Sequence, residues 1–265
     1  MPESFFGGVL YILEQYGPLF LQGALYTILI AIAGTIVGFL IGALVAVIRT
    51  IPIRPKDNIF KKILLKIARG ILTAYVEVFR TTPMMVQAML IYYGSAEMFG
   101  LDMSPLVAGI VVVSINTGAY MAEIVRGGII SVDSGQTEGA QSIGMTHWQT
   151  MIHVILPQAL RNIMPSIGNE FVINIKDSSV LSVISVSELF FITKSAAGTF
   201  VRFFEAAFIA CVIYLVINFT ITRILLMIEK RMDGPASYNL RGSQNMTAEE
   251  MTLLIKAKKQ GKNND

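Results

Sequence analysis

Residues 20 to 48 contain no Asp, Glu, Lys or Arg. That run restricts the chain to folds built around apolar helices able to cross a hydrocarbon core, for which about 20 residues suffice. Within it Gly34, Gly38 and Gly42 recur at four-residue spacing, which puts three bare backbone patches on one helix face and lets a neighbouring helix approach closely. Composition agrees: 54% of the residues are hydrophobic, 15% are charged and the mean hydropathy is +0.62, above the range of soluble domains. The fold class is all-α integral membrane. One Cys excludes an internal disulfide framework, and two His leave no His/Cys metal spacing. The N-terminal residues lack the basic region of a cleaved signal peptide, so the first apolar segment reads as a retained span.

Further apolar runs lie at about 77–96, with Pro83 near its start, at 105–123 and at 205–228. Pro83 predicts a kink or break. The loop 49–69 carries seven Lys or Arg against one Asp, whereas 95–104 carries none, which puts the first on the cytoplasmic side. The N-terminus is then outside, and the segment 124–162 and the basic end of the last span are inside. Those two inside ends require one more crossing between 162 and 205. Five spans, N-out and C-in, are predicted, and the stretch "INIKDSSVLSVISVSEL" (173–189) has to be one of them. The tail 233–265 is polar and mixed in charge, which predicts a solvated segment with a possible short helix from Thr247, capped through Glu250.

A crossing through 173–189 places Lys176 and Asp177 in the membrane, with five serines between 178 and 187. Each ionisable group costs about 2.5–3.5 kcal/mol at the centre of a span. Three readings are open. The two charges neutralise each other or snorkel; or they clamp separate spans together, Lys176 with Glu123 and Asp177 with an Asn; or they face a cavity and contact a zwitterionic solute. Asn116 and Tyr120, one turn apart, share a face, with Glu123 three residues beyond. For Asn116 an interhelical hydrogen bond competes with solute contact. Glu123 with Arg126, and Glu77 with Arg80, have the spacing of local ion pairs.

The segment 131–157 reads as two short helices. The first, from Glu138 to Ile143, carries small residues and stops at Gly144, which fits a left-handed terminal position. Thr146 and Gln149 form a capping box for the second, running toward Pro157. A short helix lined with Gly139, Ala140 and Ser142 suits insertion into a partner's groove, and an ordinary interfacial hairpin fits the same residues. His147 and His153 fall on this hairpin and suit packing or solvent exposure.

Glu138, Gly139, Ala140 and Gly144, followed after nine intervening residues by Val154, Ile155, Leu156 and Pro157, resemble the permease signature of bacterial ATP-binding-cassette importers, with Gly139 where Ala is usual and Val154 where Ile is common. "FRTTPMMVQ", "AYMAEIVRGGIISVDSGQTEGA", "LPQALRNIMPSIGNEF" and "KDSSVLSVISVSEL" are similar to the polar amino-acid subgroup, over roughly residues 15 to 230. Thr81 stands where that subgroup generally has Gly. The resemblance implies a type I importer permease of five transmembrane helices, with a transmembrane domain over 1–232, a coupling hairpin at about 131–157 and a cytoplasmic tail over 233–265. It implies a bacterial cell membrane location and a second permease subunit, identical or homologous. Two cytoplasmic ATPase subunits and an external solute-binding protein complete the assembly, with no nucleic acid among the partners. The solute would be a polar L-amino acid such as glutamine, glutamate, histidine, arginine or cystine, moved by alternating access. Glu138, Gly139, Ala140, Gly144 and Pro157 would couple to the ATPases; Asn116, Tyr120, Glu123, Lys176, Asp177 and Val180 are the candidate substrate path. This chain has no phosphate-binding loop, so ATP and Mg would be bound by the partner and no cofactor is expected here. An ion-driven secondary transporter is the alternative, against which stands the lack of an inverted repeat. A membrane enzyme lacks a convincing nucleophile and base.

Overall fold

The computed structural model describes residues 4–232 apart from 54, 56 and 57. The tail 233–265, with its possible helix from Thr247, lies outside the described residues. The chain divides into a unit ending at Leu225 and a second beginning at Leu226, whose described part is the last stretch of the final helix.

The charge-free run extends in both directions into one helix, α1 (Phe5–Thr50), started by Ser4, whose Oγ accepts from Gly7 N at 3.2 Å. Its 46 residues reach about 69 Å, roughly twice the hydrocarbon thickness. The second helix, α2 (Ile59–Thr81), begins inside the segment whose charge made it read as a loop. Its apolar residues sit on one arc and its cations on others, so the basic count hides an amphipathic helix. The expected second span at 77–96 is divided. Helix α2 ends at Thr81, Thr82 is extended (φ −103°, ψ 147°), and α3 (Met84–Phe99) starts after Pro83. Proline supplies no N–H and drives its predecessor out of the helical region. Thr81, where the resemblance expects Gly, is helical and has no positive φ, so no glycine is required there.

Helix α4 (Pro105–Ser131) is capped by Ser104 and lies at the centre of the bundle, touching α1, α2 and α3. The glycine stripe of α1 packs on it. A Cβ at Gly38 would lie 2.7 Å from Thr117 Cβ, one at Gly42 would lie 2.7 Å from the amide N of Ala122, and Gly34 meets Val113 in the same way. Close approach is the reason for those glycines. The chain continues through α5 (Ser134–Ser142), α6 (His147–Thr150), a π-helical turn at Met151–Ile155 and α7 (Leu156–Asp177). Beyond α7 come a 3₁₀ turn at Ser178–Ile184, α8 (Leu189–Phe200) and α9 (Phe203–Met232).

Among the described residues, α1, α4 and α9 are each long and apolar enough to cross a membrane. A fourth path is formed by His147–Ile184 together with Leu189–Phe200, bent by 54°. The polar stretch 173–189 therefore contains the break of a bent path, between Ile184 and Leu189. Ser185 turns it with a left-handed backbone (φ 62°).

Candidate functional site

Asn174, one turn before the end of α7, binds three helices together deep in the bundle. Its Nδ2 donates to Thr35 Oγ1 on α1 at 2.9 Å, and its Oδ1 accepts from Thr117 Oγ1 on α4 at 3.0 Å. All three groups are buried, so each hydrogen bond replaces an unsatisfied polar atom in apolar surroundings. This lock fixes where α7 ends. Lys176 and Asp177 are its last two residues, both exposed on the isolated chain, and neither forms a hydrogen bond or ion pair among the described residues. A cation in the last turn of a helix interacts favourably with its dipole.

The clamp between Lys176 and Glu123 is not formed. Glu123 accepts from Arg49 Nη1 at 2.5 Å and from Arg126 Nη2 at 2.7 Å, so both its oxygens are occupied at the junction of α1 and α4. The local pair with Arg126 matches its spacing. Asp177 likewise has no Asn partner among the described residues. The expected pair of Glu77 with Arg80 is replaced by a cation–π contact: the Arg80 guanidinium lies 5.4 Å from the centre of the Tyr120 ring. Arg80, Glu77, Tyr120, Glu123 and Arg49 line one cavity of about 420 Å³ between α1, α2 and α4.

Asn116 does not open into that cavity. Its Nδ2 donates to Phe79 O at 3.2 Å and to Gln87 Oε1 at 2.9 Å. Gln87 in turn donates to the carbonyls of Phe79 and Thr82, both at 3.0 Å. The break between α2 and α3 exposes carbonyls that no helix satisfies, and these two side chains serve them. The interhelical reading of Asn116 is the one observed. The structure thus brings Tyr120 and Glu123 into one cavity and leaves Asn116 as a support. Lys176 and Asp177 lie on an open face, and Val180 lies half-buried in the 3₁₀ turn.

Two carboxylates complete the region. Glu170 is 8% exposed and makes no hydrogen bond or ion pair among the described residues; its charged neighbours are Arg80 and, two turns further along α7, Asp177. Glu188 is fully buried and N-caps α8: Oε2 accepts from Phe190 N at 2.8 Å and Oε1 from Phe191 N at 2.7 Å, with Tyr214 Oη donating to Oε2 at 3.2 Å. Thr27 of α1 accepts the next amide, Leu189 N, at 3.2 Å. Sequence reading passed over Gln87, Arg49, Arg80 and Glu188 as site residues. Glu188 carried no standard signal, since Ser, Thr, Asp and Asn are the usual N-cap residues.

The hairpin at 131–157 has the expected turns. Gly144 adopts φ +85°, Met145 N donates to Ala140 O at 3.1 Å and Gly144 N to Gln141 O at 3.0 Å, a Schellman closure of α5. Thr146 and Gln149 form both bonds of the capping box. Pro157 does not end the following helix. The π-helical turn before it carries a bond from Leu156 N to Met151 O, and Gln158 Nε2 serves the Val154 carbonyl at 2.9 Å, so the proline is absorbed without a break. Glu138, Gly139 and Gly144 are exposed, and a Cβ on either glycine would meet nothing within 4 Å. Ala140 is buried.

Residues 63–234 match the family of binding-protein-dependent transport system inner membrane components. The chain belongs to that family. The glutamine transport system permease protein GlnP of Escherichia coli strain K12 is 37% identical over 220 residues, covering 81% of this chain and 93% of that one. The L-cystine transport system permease protein TcyB of Bacillus subtilis strain 168 is 34% identical over 225 residues, covering 83% and 89%. The crystal structure of an amino acid ABC transporter with histidines aligns with a TM-score of 0.74 at 35% identity over 87% of this chain and all of the other. This inner membrane component is a permease and not an enzyme. It works with a solute-binding protein, and ATP hydrolysis belongs to a separate subunit.

Proposed function

We propose that this chain is the permease subunit of an ATP-driven importer that moves a polar L-amino acid by alternating access. Five crossings carry the path: α1, the α2–α3 pair, α4, the bent path from α7 through α8, and α9, with the N-terminus outside and the C-terminus inside. The tail 233–265 is a cytoplasmic polar segment outside the transmembrane domain. The permease pairs with a second permease subunit, identical or homologous, and docks on two ATPase subunits that bind ATP and Mg, while an external binding protein delivers the solute. Relatives named for glutamine, cystine and arginine transport support the amino-acid class.

The observation that carries this reading is the pair Lys176 and Asp177, which end α7 side by side, exposed and with no hydrogen bond or ion pair to another side chain among the described residues. A zwitterion supplies both missing charges: its carboxylate meets Lys176 and its ammonium meets Asp177. Arg80 over Tyr120, nearly buried Glu170, Val180 and the cavity at Glu123 extend the same path, and Asn116 holds its wall. Glu138, Gly139 and Gly144 lie on the surface that the ATPase grips, buried Ala140 seats that helix on the rest of the hairpin, and Pro157 joins it to α7. Gly144→Leu tests the coupling role. At φ +85° a branched side chain is strained. The variant is expected to insert into the membrane normally, lose ATPase association and lose uptake. Uptake at the wild-type rate would count against coupling through this hairpin.

A further inference from the structure

Glu77 and Arg80 have the spacing of an ion pair on one helix and do not form one; both line the cavity of about 420 Å³ between α1, α2 and α4. Arg80 rests on the Tyr120 ring, and its N–H groups donate no hydrogen bond among the described residues. The Glu77 carboxylate has neither a hydrogen bond nor an ion pair among them. The other two charges of the lining, Arg49 and Glu123, are engaged with each other, and Glu123 also with Arg126. One anion and one cation are left over, held apart on one wall. A carboxylate and an ammonium on a single carbon span such a gap, whereas a simple anion or cation would leave one of the two unmet. The volume lies within the range of small-ligand sites, about 300–1,000 Å³.

Two observations set the level of this cavity against the end of α7. Thr117 of α4 bonds Asn174 of α7. Helix α4 runs toward the hairpin and α7 away from it, so Tyr120, about one turn beyond Thr117, stands level with Glu170, about one turn before Asn174. Independently, the charged neighbours of Glu170 are Arg80 on one side and Asp177 on the other. Glu170 and Asp177 are separated by about 10.5 Å along α7 and about 20° around it, so their carboxylates share one face. Nearly buried Glu170, which makes no hydrogen bond or ion pair among the described residues, therefore joins the two places. Toward the hairpin the carboxylates come in the order Asp177, Glu170, Glu77, and the cations in the order Lys176, Arg80.

We infer that the Glu77–Arg80 cavity is a second solute station, where Arg80 takes the α-carboxylate and Glu77 the α-ammonium of an amino acid that has left Lys176 and Asp177. The inference rests on the proposed reading of that pair as the first station. A shift of about 10 Å separates the two, and Glu170 offers the ammonium a partner between them, so neither charge crosses bare apolar wall. The second station reads only the groups that every α-amino acid carries.

The test counts labelled L-glutamine, L-cystine and L-arginine, for which relatives are named, bound to the full permease–ATPase complex in detergent by equilibrium dialysis. ATP-driven uptake of the same three is measured in proteoliposomes. An amino acid that is taken up is expected to bind at two sites per permease. Glu77→Gln and Arg80→Gln each weaken one site at least about tenfold, as the loss of one charge-assisted contact does, and leave the other. Glu77→Asp keeps both, and Asp177→Asn weakens only the site that Glu77→Gln spares. Glu77 is exposed, so its amide variant removes no packing. One site in the wild type, lost in Asp177→Asn while wild-type uptake proceeds, overturns the second station and leaves the first standing. Two sites untouched by Glu77→Gln, or both weakened by it, also overturn the second station. Two sites of which Glu77→Gln weakens one and Asp177→Asn neither support the second station and contradict the first.

Discussion

Replacing Glu188 with Ala removes the acceptor for two amide N–H groups, those of Phe190 and Phe191, at a position with no solvent exposure. Water cannot take over there. An unsatisfied buried donor costs about 1–3 kcal/mol, and two of them, with the lost Tyr214 bond and the volume left behind, amount to about 3–5 kcal/mol. Glu188→Gln keeps one carbonyl oxygen and a similar volume, so it costs about 1–2 kcal/mol. Tyr214→Phe leaves the cap itself intact and costs about 1 kcal/mol. Heating the purified complex and following the loss of its monodisperse chromatographic peak gives the order: wild type most stable, then Tyr214→Phe and Glu188→Gln, then Glu188→Ala. Stability of the Ala variant equal to wild type would refute the cap as the element that holds the bent path. A Gln variant as weak as Ala would show that a single carbonyl oxygen does not hold the cap.

Gly42→Ala forces a Cβ to within 2.7 Å of the Ala122 amide, for about 1–3 kcal/mol of overpacking against a gain of up to about 1 kcal/mol in helix propensity. Gly70→Ala meets nothing within 4 Å and keeps the gain, so the same heating assay should move the two variants in opposite directions. Glu123→Gln leaves Arg49 and Arg126 facing each other over a neutral group. It is expected to lower stability by about 1–2 kcal/mol, more than Arg126→Gln does, because Arg126 is the more exposed of the two arginines. Equal effects would remove Glu123 as the centre of that cluster.

Local rules carried much of the fold. The four-residue glycine period of α1, the capping box at Thr146, the left-handed Gly144 and the break at Pro83 each depend on a few neighbouring residues, and each was legible for that reason. The site was legible as residue types but not as partnerships. Arg80 lies on Tyr120 instead of Glu77, and Asn174 joins Thr35 and Thr117 across long sequence separations. Spacing along one helix does not report which other helix approaches it. The start of α2 was hidden for another reason: topology rules count cations, whereas the helix is recognised by where those cations fall around its axis.

The central claim is that Lys176 and Asp177 meet a solute that carries both charges. It is tested most directly in proteoliposomes that hold the complete complex, with ATP inside and the binding protein and a labelled polar amino acid outside. Wild-type complex should accumulate the amino acid only with ATP. Asp177→Asn should assemble with the ATPase as the wild type does and lose uptake at least about tenfold, as expected when one charge-assisted contact of about 1.5–3 kcal/mol disappears. Uptake by Asp177→Asn at the wild-type rate would contradict the account and return the two charges to a structural role.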